Sequence, residues 1–139
     1  GKLIPVLKMK KIGKQSLIFC SGAAGYCLLE LIWRGRTHWS MAAAGGMSLL
    51  LLNGLFHRLR GFSLMARSAA GGGVITGVEL VFGLIFNRIL HLHVWDYSAV
   101  PGNFLGQICP LYSFFWCLLC VPVALLTERA ARRKTLPGA

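Results

Sequence analysis

Acidic residues are scarce in this chain. Its 139 residues include only four Asp and Glu against 15 Lys and Arg, and charged residues of both signs make up just 14%. Hydrophobic residues make up 55%, and the mean hydropathy is +0.63. A water-soluble domain of this size needs a more polar surface than these residues can supply. The composition therefore excludes the ordinary soluble classes and indicates a protein whose solvent is lipid.

Motifs for catalysis and cofactor binding are also missing. The sequence has no P-loop, no Gly-x-Ser-x-Gly elbow and no His-Glu-x-x-His helix. His91 and His93 near Asp96 lack further ligands at a recognisable spacing. The five cysteines lie in apolar runs, and we interpret them as reduced packing residues. We expect no cofactor and no metal site, and an enzyme is less favoured than a non-catalytic protein.

Four apolar runs are each long enough to cross a bilayer as a helix. They cover residues 16–33, 39–56, 69–90 and 103–126. The sequence therefore predicts an all-α fold, a polytopic membrane four-helix bundle over residues 16–126, with a basic segment at 1–15 and a basic tail at 127–139. A weak repeat relates "GYCLLELIWRGRTHWS" to "GVELVFGLIFNRILHLHVWDYS". It points to two helical hairpins arranged as a parallel repeat.

The basic residues are distributed unevenly between the two sides of these spans. Twelve of the 15 Lys and Arg lie in the two tails and the second connection. By the positive-inside rule that side is cytoplasmic, so both termini are predicted to lie on the cytoplasmic side of a plasma membrane. The net charge of +11 is then explained by topology and lipid headgroups, and we expect the lipid bilayer, rather than nucleic acid, as the partner.

Two carboxylates inside the spans need a physical explanation. Glu79 falls near the middle of the third span, where an ionised side chain costs about 2.5 to 3.5 kcal/mol. It must be protonated or have a partner on another helix, either as a functional contact for an ion, proton or solute or as a structural hydrogen bond. Glu30 lies closer to the predicted outer boundary, and Arg34 follows one helical turn later. That spacing predicts an interfacial ion pair.

Small and polar residues recur at helical spacing in the third and fourth spans, and the segment "VWDYS" connects them. Asp96 in this segment can cap its own turn or form part of a binding wall. We predict a substrate site in the outer half of the bundle, formed by Glu79, Asn87, Arg88, Trp95, Asp96, Tyr97, Ser98, Asn103 and Gln107. A secondary set consists of Glu30, Arg34, Trp39 and Ser40.

Several motifs in fixed order carry a family resemblance. The segments "WRGRTHWSM", "GGGVITGVELVFG", "VWDYS" and "PGNFLGQICPLYSFFW", within about residues 22–126, are similar to the ABC transporter permeases labelled type IV or CmpB-like. The resemblance implies a small bacterial multi-pass permease and carries over no binding residue. Where the family commonly has Cys-Leu, this chain has Cys109 followed by Pro110, so we expect a kink in the fourth span.

Three functional hypotheses remain at this point. The leading one is a permease-like membrane transport component for a small solute or a lipid-like substrate. A second copy of the chain and a separate ATPase subunit are its expected partners, with Arg58, Arg60 and Arg67 in the second connection as the docking surface. The alternatives are a non-transporting accessory or lipid-binding protein and an intramembrane enzyme. The enzyme would need two catalytic groups near one reacting atom.

Overall fold

Four long helices dominate the protein. The computed structural model describes the backbone of residues 3–135 and the side chains of residues 8–132. The helices are α1 (Leu3–Arg34), α2 (Trp39–Arg58), α3 (Leu64–Gly83) and α4 (Pro110–Thr135), and a π-helical turn (Leu84–Ile89) continues α3. Each of the four contains a stretch long and apolar enough to cross a membrane. The predicted all-α fold with four spans is confirmed.

The outward-facing side chains of these helices are those expected in contact with lipid. Ile32 on α1, Met65 on α3 and Leu126 on α4 are 73%, 82% and 64% exposed. Helices satisfy their own backbone hydrogen bonds, which hydrocarbon cannot do for them. Large apolar side chains can therefore point outward at no cost when the surroundings are lipid tails.

The first compact unit comprises residues 1–50 and contains α1 and the first part of α2. The two helices approach closely at a pair of glycines. A Cβ atom on Gly22 would lie 2.5 Å from the carbonyl oxygen of Gly45, and one on Gly45 would lie 2.5 Å from the Cβ of Tyr26. Small residues at such crossings let helix backbones pack tightly in membranes.

The second unit comprises residues 51–139, and the boundary between the units falls within α2. Its apolar core joins Leu52 and Phe56 of α2 to Cys120 and Ala124 of α4. Helices α3 and α4 pack along much of their length, and midway the hydroxyls of Thr76 and Ser113 hydrogen-bond at 2.9 Å. Each hydroxyl thereby gains a partner that lipid would not supply.

The start of the fourth span differs from the prediction. Helix α4 begins at Pro110 rather than at residue 103, so Asn103, Gly106 and Gln107 lie in the connection that precedes it. The expected kink at Pro110 was also wrong. A proline at the first helical position loses no hydrogen bond, because that N–H has no partner within the helix. Pro122 is the proline inside α4.

The second connection is shorter than predicted. Helix α2 ends at Arg58 and α3 begins at Leu64, with the hydroxyl of Ser63 accepting a hydrogen bond from the Ala66 backbone amide at 3.2 Å. Arg67 therefore lies on α3, where it is 7% exposed, instead of on an open loop. The predicted docking surface for an ATPase loses one of its three arginines. The division into residues 1–15, 16–126 and 127–139, the cytoplasmic termini and the hairpin repeat stay predictions.

The glycine run in α3 offers a matched test of the α3–α4 contact. A Cβ atom on Gly72 would lie 3.0 Å from the backbone nitrogen and 3.1 Å from the Cα of Cys117, whereas one on Gly73 would meet nothing within 4 Å. We expect Gly72→Ala to lower stability by about 1–3 kcal/mol through overpacking. Gly73→Ala should be neutral or slightly stabilising. Thermal unfolding in detergent measures both, and equal melting temperatures would contradict the contact.

Candidate functional site

The carboxylate of Glu79 lies at the centre of the second unit. Its side chain is buried, with the residue 6% exposed. The hydroxyl of Tyr97 donates a hydrogen bond to its Oε2 at 2.9 Å, and the indole N–H of Trp116 on α4 donates to its Oε1 at 3.4 Å. Donors from two other chain segments thus reduce the cost of placing a carboxylate within an apolar span.

Tyr97, whose hydroxyl donates to Glu79, is held in place by aromatic stacking. The ring of Tyr97 stacks on that of Tyr112 with centroids 4.9 Å apart and planes 7° apart, and Tyr112 meets Phe115 edge to face. Tyr112 and Phe115 belong to α4, so this stack fixes Tyr97 to the helix. Stacked aromatic pairs contribute about 0.5–1.5 kcal/mol beyond their buried area.

The segment of residues 90–109, called here the 90–109 loop, is held to α3 by Asn87. This residue lies in the π-helical turn Leu84–Ile89 and is buried. Its Oδ1 accepts hydrogen bonds from the backbone amides of Val94 at 2.7 Å and Trp95 at 3.4 Å, and its Nδ2 donates to Oε1 of Gln107 at 2.9 Å. The side chain of Asn87 therefore binds residues near both the start and the end of the loop.

Gln107 and Trp95 complete this network. The indole N–H of Trp95 donates to the backbone carbonyl of Gln107 at 3.0 Å, and Nε2 of Gln107 donates to the carbonyl of Leu105 at 2.9 Å. Gly83 makes the approach possible, because a Cβ atom there would lie 2.5 Å from Oε1 of Gln107 and 3.0 Å from the Trp95 ring. The buried polar groups of the loop are thus satisfied by one another.

Residues of this network also line an open depression of about 400 Å³. Most of its lining is polar. The residues that line it are Asn87, Arg88, His93, Trp95, Asp96, Ser98, Asn103, Leu105, Gly106 and Gln107. Its size is within the range of small-molecule sites.

Asp96 carries the one acidic side chain of the depression, and local hydrogen bonds already hold it. Its Oδ1 accepts from the Ser98 hydroxyl and from the Ser98 backbone amide, the latter at 2.9 Å. The Ser98 hydroxyl, then the Ser98 amide, hold the pKa of Asp96 below its ordinary value, with a smaller contribution from His93. Asp96 therefore closes its own turn and also faces the depression. Its role in a binding wall stays a prediction.

The structure brings most of the predicted site together. Seven of the nine predicted residues line the depression. Glu79 and Tyr97 do not line it, and instead bond to each other. Because Glu79 lies outside the depression that Asp96 lines, the arrangement does not favour these two carboxylates as the catalytic pair that an intramembrane enzyme would need. Whether any of the nine contacts a substrate stays a prediction.

The secondary set lies in the first unit. Glu30 and Arg34 form the predicted ion pair at 2.6 Å. Ser40 is 1% exposed and its hydroxyl hydrogen-bonds Nδ1 of His38 at 2.7 Å, whereas Trp39 is 64% exposed. The ring of Trp39 lies against that of His38 with centroids 5.3 Å apart, so all four residues are engaged in local contacts near the loop between α1 and α2.

Sequence reasoning missed Trp116, His93 and the π-helical turn. Trp116 could have been found, because an indole N–H within a span needs an acceptor and Glu79 is an acceptor at a comparable depth. The amino-acid composition of Leu84–Ile89 does not predict a π-helical turn. Among the residues with described positions, no group of three or more His, Cys, Asp or Glu could hold a metal ion.

Asn87 gives a direct test of the loop network. We expect Asn87→Ala to speed hydrogen exchange of the Val94 and Trp95 amides by about fivefold or more, because each net hydrogen bond to a buried group contributes about 1 kcal/mol. Arg88→Ala, in the same turn but exposed, is the control and should leave exchange unchanged. Similar protection in both variants would contradict the role of Asn87.

Asp96 gives a test by pH. Because its pKa is lowered in the folded loop, the carboxylate stabilises the loop at pH above the ordinary range of an aspartate, and this contribution is lost as the pH falls through the lowered pKa. Ser98→Ala should raise the pKa of Asp96 by removing its first donor. A ¹³C NMR titration of the carboxyl group in micelles measures this, and an unchanged midpoint would refute it.

The comparison with known families agrees with this architecture. Residues 16–136 match the family described as "Putative ABC-transporter type IV", and the match covers all four apolar runs. No curated protein and no solved structure is significantly similar to the chain. The resemblance carried by the sequence motifs is confirmed. The chain belongs to the type IV ABC-transporter family and is a multi-pass membrane protein of that family.

Proposed function

We propose that this protein is the membrane-embedded component of a bacterial plasma-membrane transport system, and that the depression lined by the 90–109 loop receives a small solute on the outer side. The supporting observation is the convergence of seven predicted residues on one open polar surface. Such a surface at one end of apolar helices is where a solute would first leave water.

Arg88 is the residue of the depression that suits an anionic group of a solute. It is exposed and lines the depression, which also holds the carboxylate of Asp96, whose Oδ1 is hydrogen-bonded to Ser98. A guanidinium binds carboxylate or phosphate groups through paired hydrogen bonds. A small carboxylate, phosphate ester or zwitterion would therefore bind with its anionic group at Arg88 and its polar groups toward Asn103 and Ser98.

The contacts beneath the loop provide a route from solute binding to the helices. Tyr97 belongs to the loop and bonds Glu79 of α3, while its ring stacks on Tyr112 of α4. Movement of the loop around a solute would therefore change contacts at both helices. Since α3 and α4 pack closely, the transport step is a shift of this helix pair, driven by an ATPase on a separate chain.

A second candidate is an accessory protein without transport activity. It is favoured by the hydrogen bonds of Asn87 with Gln107 and of Tyr97 with Glu79, which give these residues a structural role without any solute. The two candidates differ at Arg88, whose exposed guanidinium would bind the solute in a transport component and would be dispensable in an accessory protein that binds none.

The test is solute binding by the purified protein. Tryptophan fluorescence, which includes Trp95 in the depression, is titrated with small carboxylates, phosphate esters and amino acids. A binding solute should lose at least about tenfold in affinity in Arg88→Gln, because one charge-assisted hydrogen bond contributes about 1.5–3 kcal/mol. Arg36→Gln, an exposed arginine of the loop between α1 and α2, is the matched control and should bind normally. Binding that is insensitive to Arg88→Gln would overturn the proposed site.

A further inference from the structure

A second cavity lies at the opposite end of the spans from the 90–109 loop. It has a volume of about 190 Å³ and is formed by the end of α2, the start of α3 and the last turns of α4. The residues that line it are Phe56, His57, Arg60, Arg67, Thr127, Glu128, Ala131 and Arg132. Three arginines thus face one carboxylate.

Arg67 is the most unusual residue of this cavity. Its side chain is 9% exposed, and among the side chains that the structure describes its ion pair is with Glu128, with the two closest atoms 3.7 Å apart. Its Nε is buried without a hydrogen-bond partner in the part of the chain that the structure describes. A buried guanidinium with a long ion pair and an unmet donor has lost water without full compensation.

Glu128 cannot neutralise the cavity alone. Its Oε1 accepts from Nη2 of Arg132 at 2.9 Å, so one carboxylate serves two guanidiniums. Arg60 adds a third positive charge at the rim. The cavity therefore keeps an excess of positive charge next to a buried donor, which is the electrostatic signature of an anion site.

We propose that this cavity binds a phosphate group, carried by the headgroup of an anionic phospholipid or by a soluble phosphate. Paired N–H donors of arginine match phosphate oxygens, and a phosphate would satisfy the buried donor of Arg67 together with the charges of Arg60 and Arg132. The distribution of basic residues places this end of the spans at the cytoplasmic surface, where anionic headgroups lie. The proposal does not depend on the solute site at the other end.

The test measures binding to the full chain in neutral detergent micelles. Phosphatidylglycerol is compared with phosphatidylcholine in one arm, and inorganic phosphate with chloride at equal ionic strength in the other, by thermal unfolding and by native mass spectrometry. Stabilisation by phosphatidylglycerol alone identifies a lipid headgroup site. Stabilisation by inorganic phosphate as well identifies a site open to soluble phosphate. Stabilisation by neither overturns the proposal.

Two matched pairs of Arg→Gln variants distinguish phosphate binding in this cavity from general electrostatic attraction to the basic surface. Arg60→Gln and Arg132→Gln, both at exposed residues that line the cavity, should weaken binding at least about fivefold. Arg58→Gln and Arg129→Gln remove the same charge from neighbouring exposed positions outside the cavity and should change binding little. Equal weakening by all four variants would overturn the proposal.

Substitution of Glu128 should change phosphate affinity in the opposite direction. Glu128→Gln removes the carboxylate that competes with phosphate for Arg67 and Arg132, so phosphate binding should tighten severalfold. A purely structural role for this cluster would instead give a less stable protein with no gain in binding. Weaker binding in Glu128→Gln would contradict the charge argument.

Discussion

The carboxylate of Glu79 is the constraint around which the second unit is organised. An acid within an apolar span is tolerated when donors are brought to it, and here the donors come from the 90–109 loop and from α4. The loop must therefore fold back onto the helices, and α4 must present Trp116 at the same depth. The depression that the loop lines exists because these contacts hold the loop in place.

The polar groups of the second unit are sorted by depth. In the middle, Thr76 and Ser113 bond each other, and nearer the loop Asn87 and Gln107 do so. Exposed charge is found at the two ends, with Arg88 at the depression and a cluster of arginines at the opposite cavity. Apart from Glu79, to which Tyr97 and Trp116 donate hydrogen bonds, this order places neutral, paired polar groups in hydrocarbon and leaves charged groups toward the ends of the spans.

Periodicity in the sequence predicted much of this arrangement. The stripe of Gly72, Thr76, Glu79, Gly83 and Asn87 faces α4 and the 90–109 loop along its length, as spacing of three and four residues requires. Composition was enough to identify four spans, because hydrocarbon imposes a strong length and polarity requirement. The motifs predicted the family on the same chain segments that the family match covers.

Other features depended on contacts that no local pattern encodes. The fourth span was begun too early, because Phe104, Leu105 and Ile108 continue the apolar run although the backbone there forms a tight turn with a short antiparallel bridge. The π-helical turn contains Asn87, whose side chain bonds the loop, and helix propensity does not predict such long-range bonds. Arg67 was assigned to a connection because charged residues seldom lie within an apolar span. Its ion-pair partner, Glu128, lies far along the chain, so no local pattern indicated its burial.

A double-mutant cycle between Glu79 and Tyr97 tests the central claim most directly. The stabilities of Glu79→Gln, Tyr97→Phe and the double variant would be compared with the unmodified protein in the same detergent. If the hydroxyl of Tyr97 holds the loop to the carboxylate, the two substitutions should show a coupling energy of about 1–3 kcal/mol. Additive effects, with no coupling, would show that the loop is held by other contacts and would contradict this account.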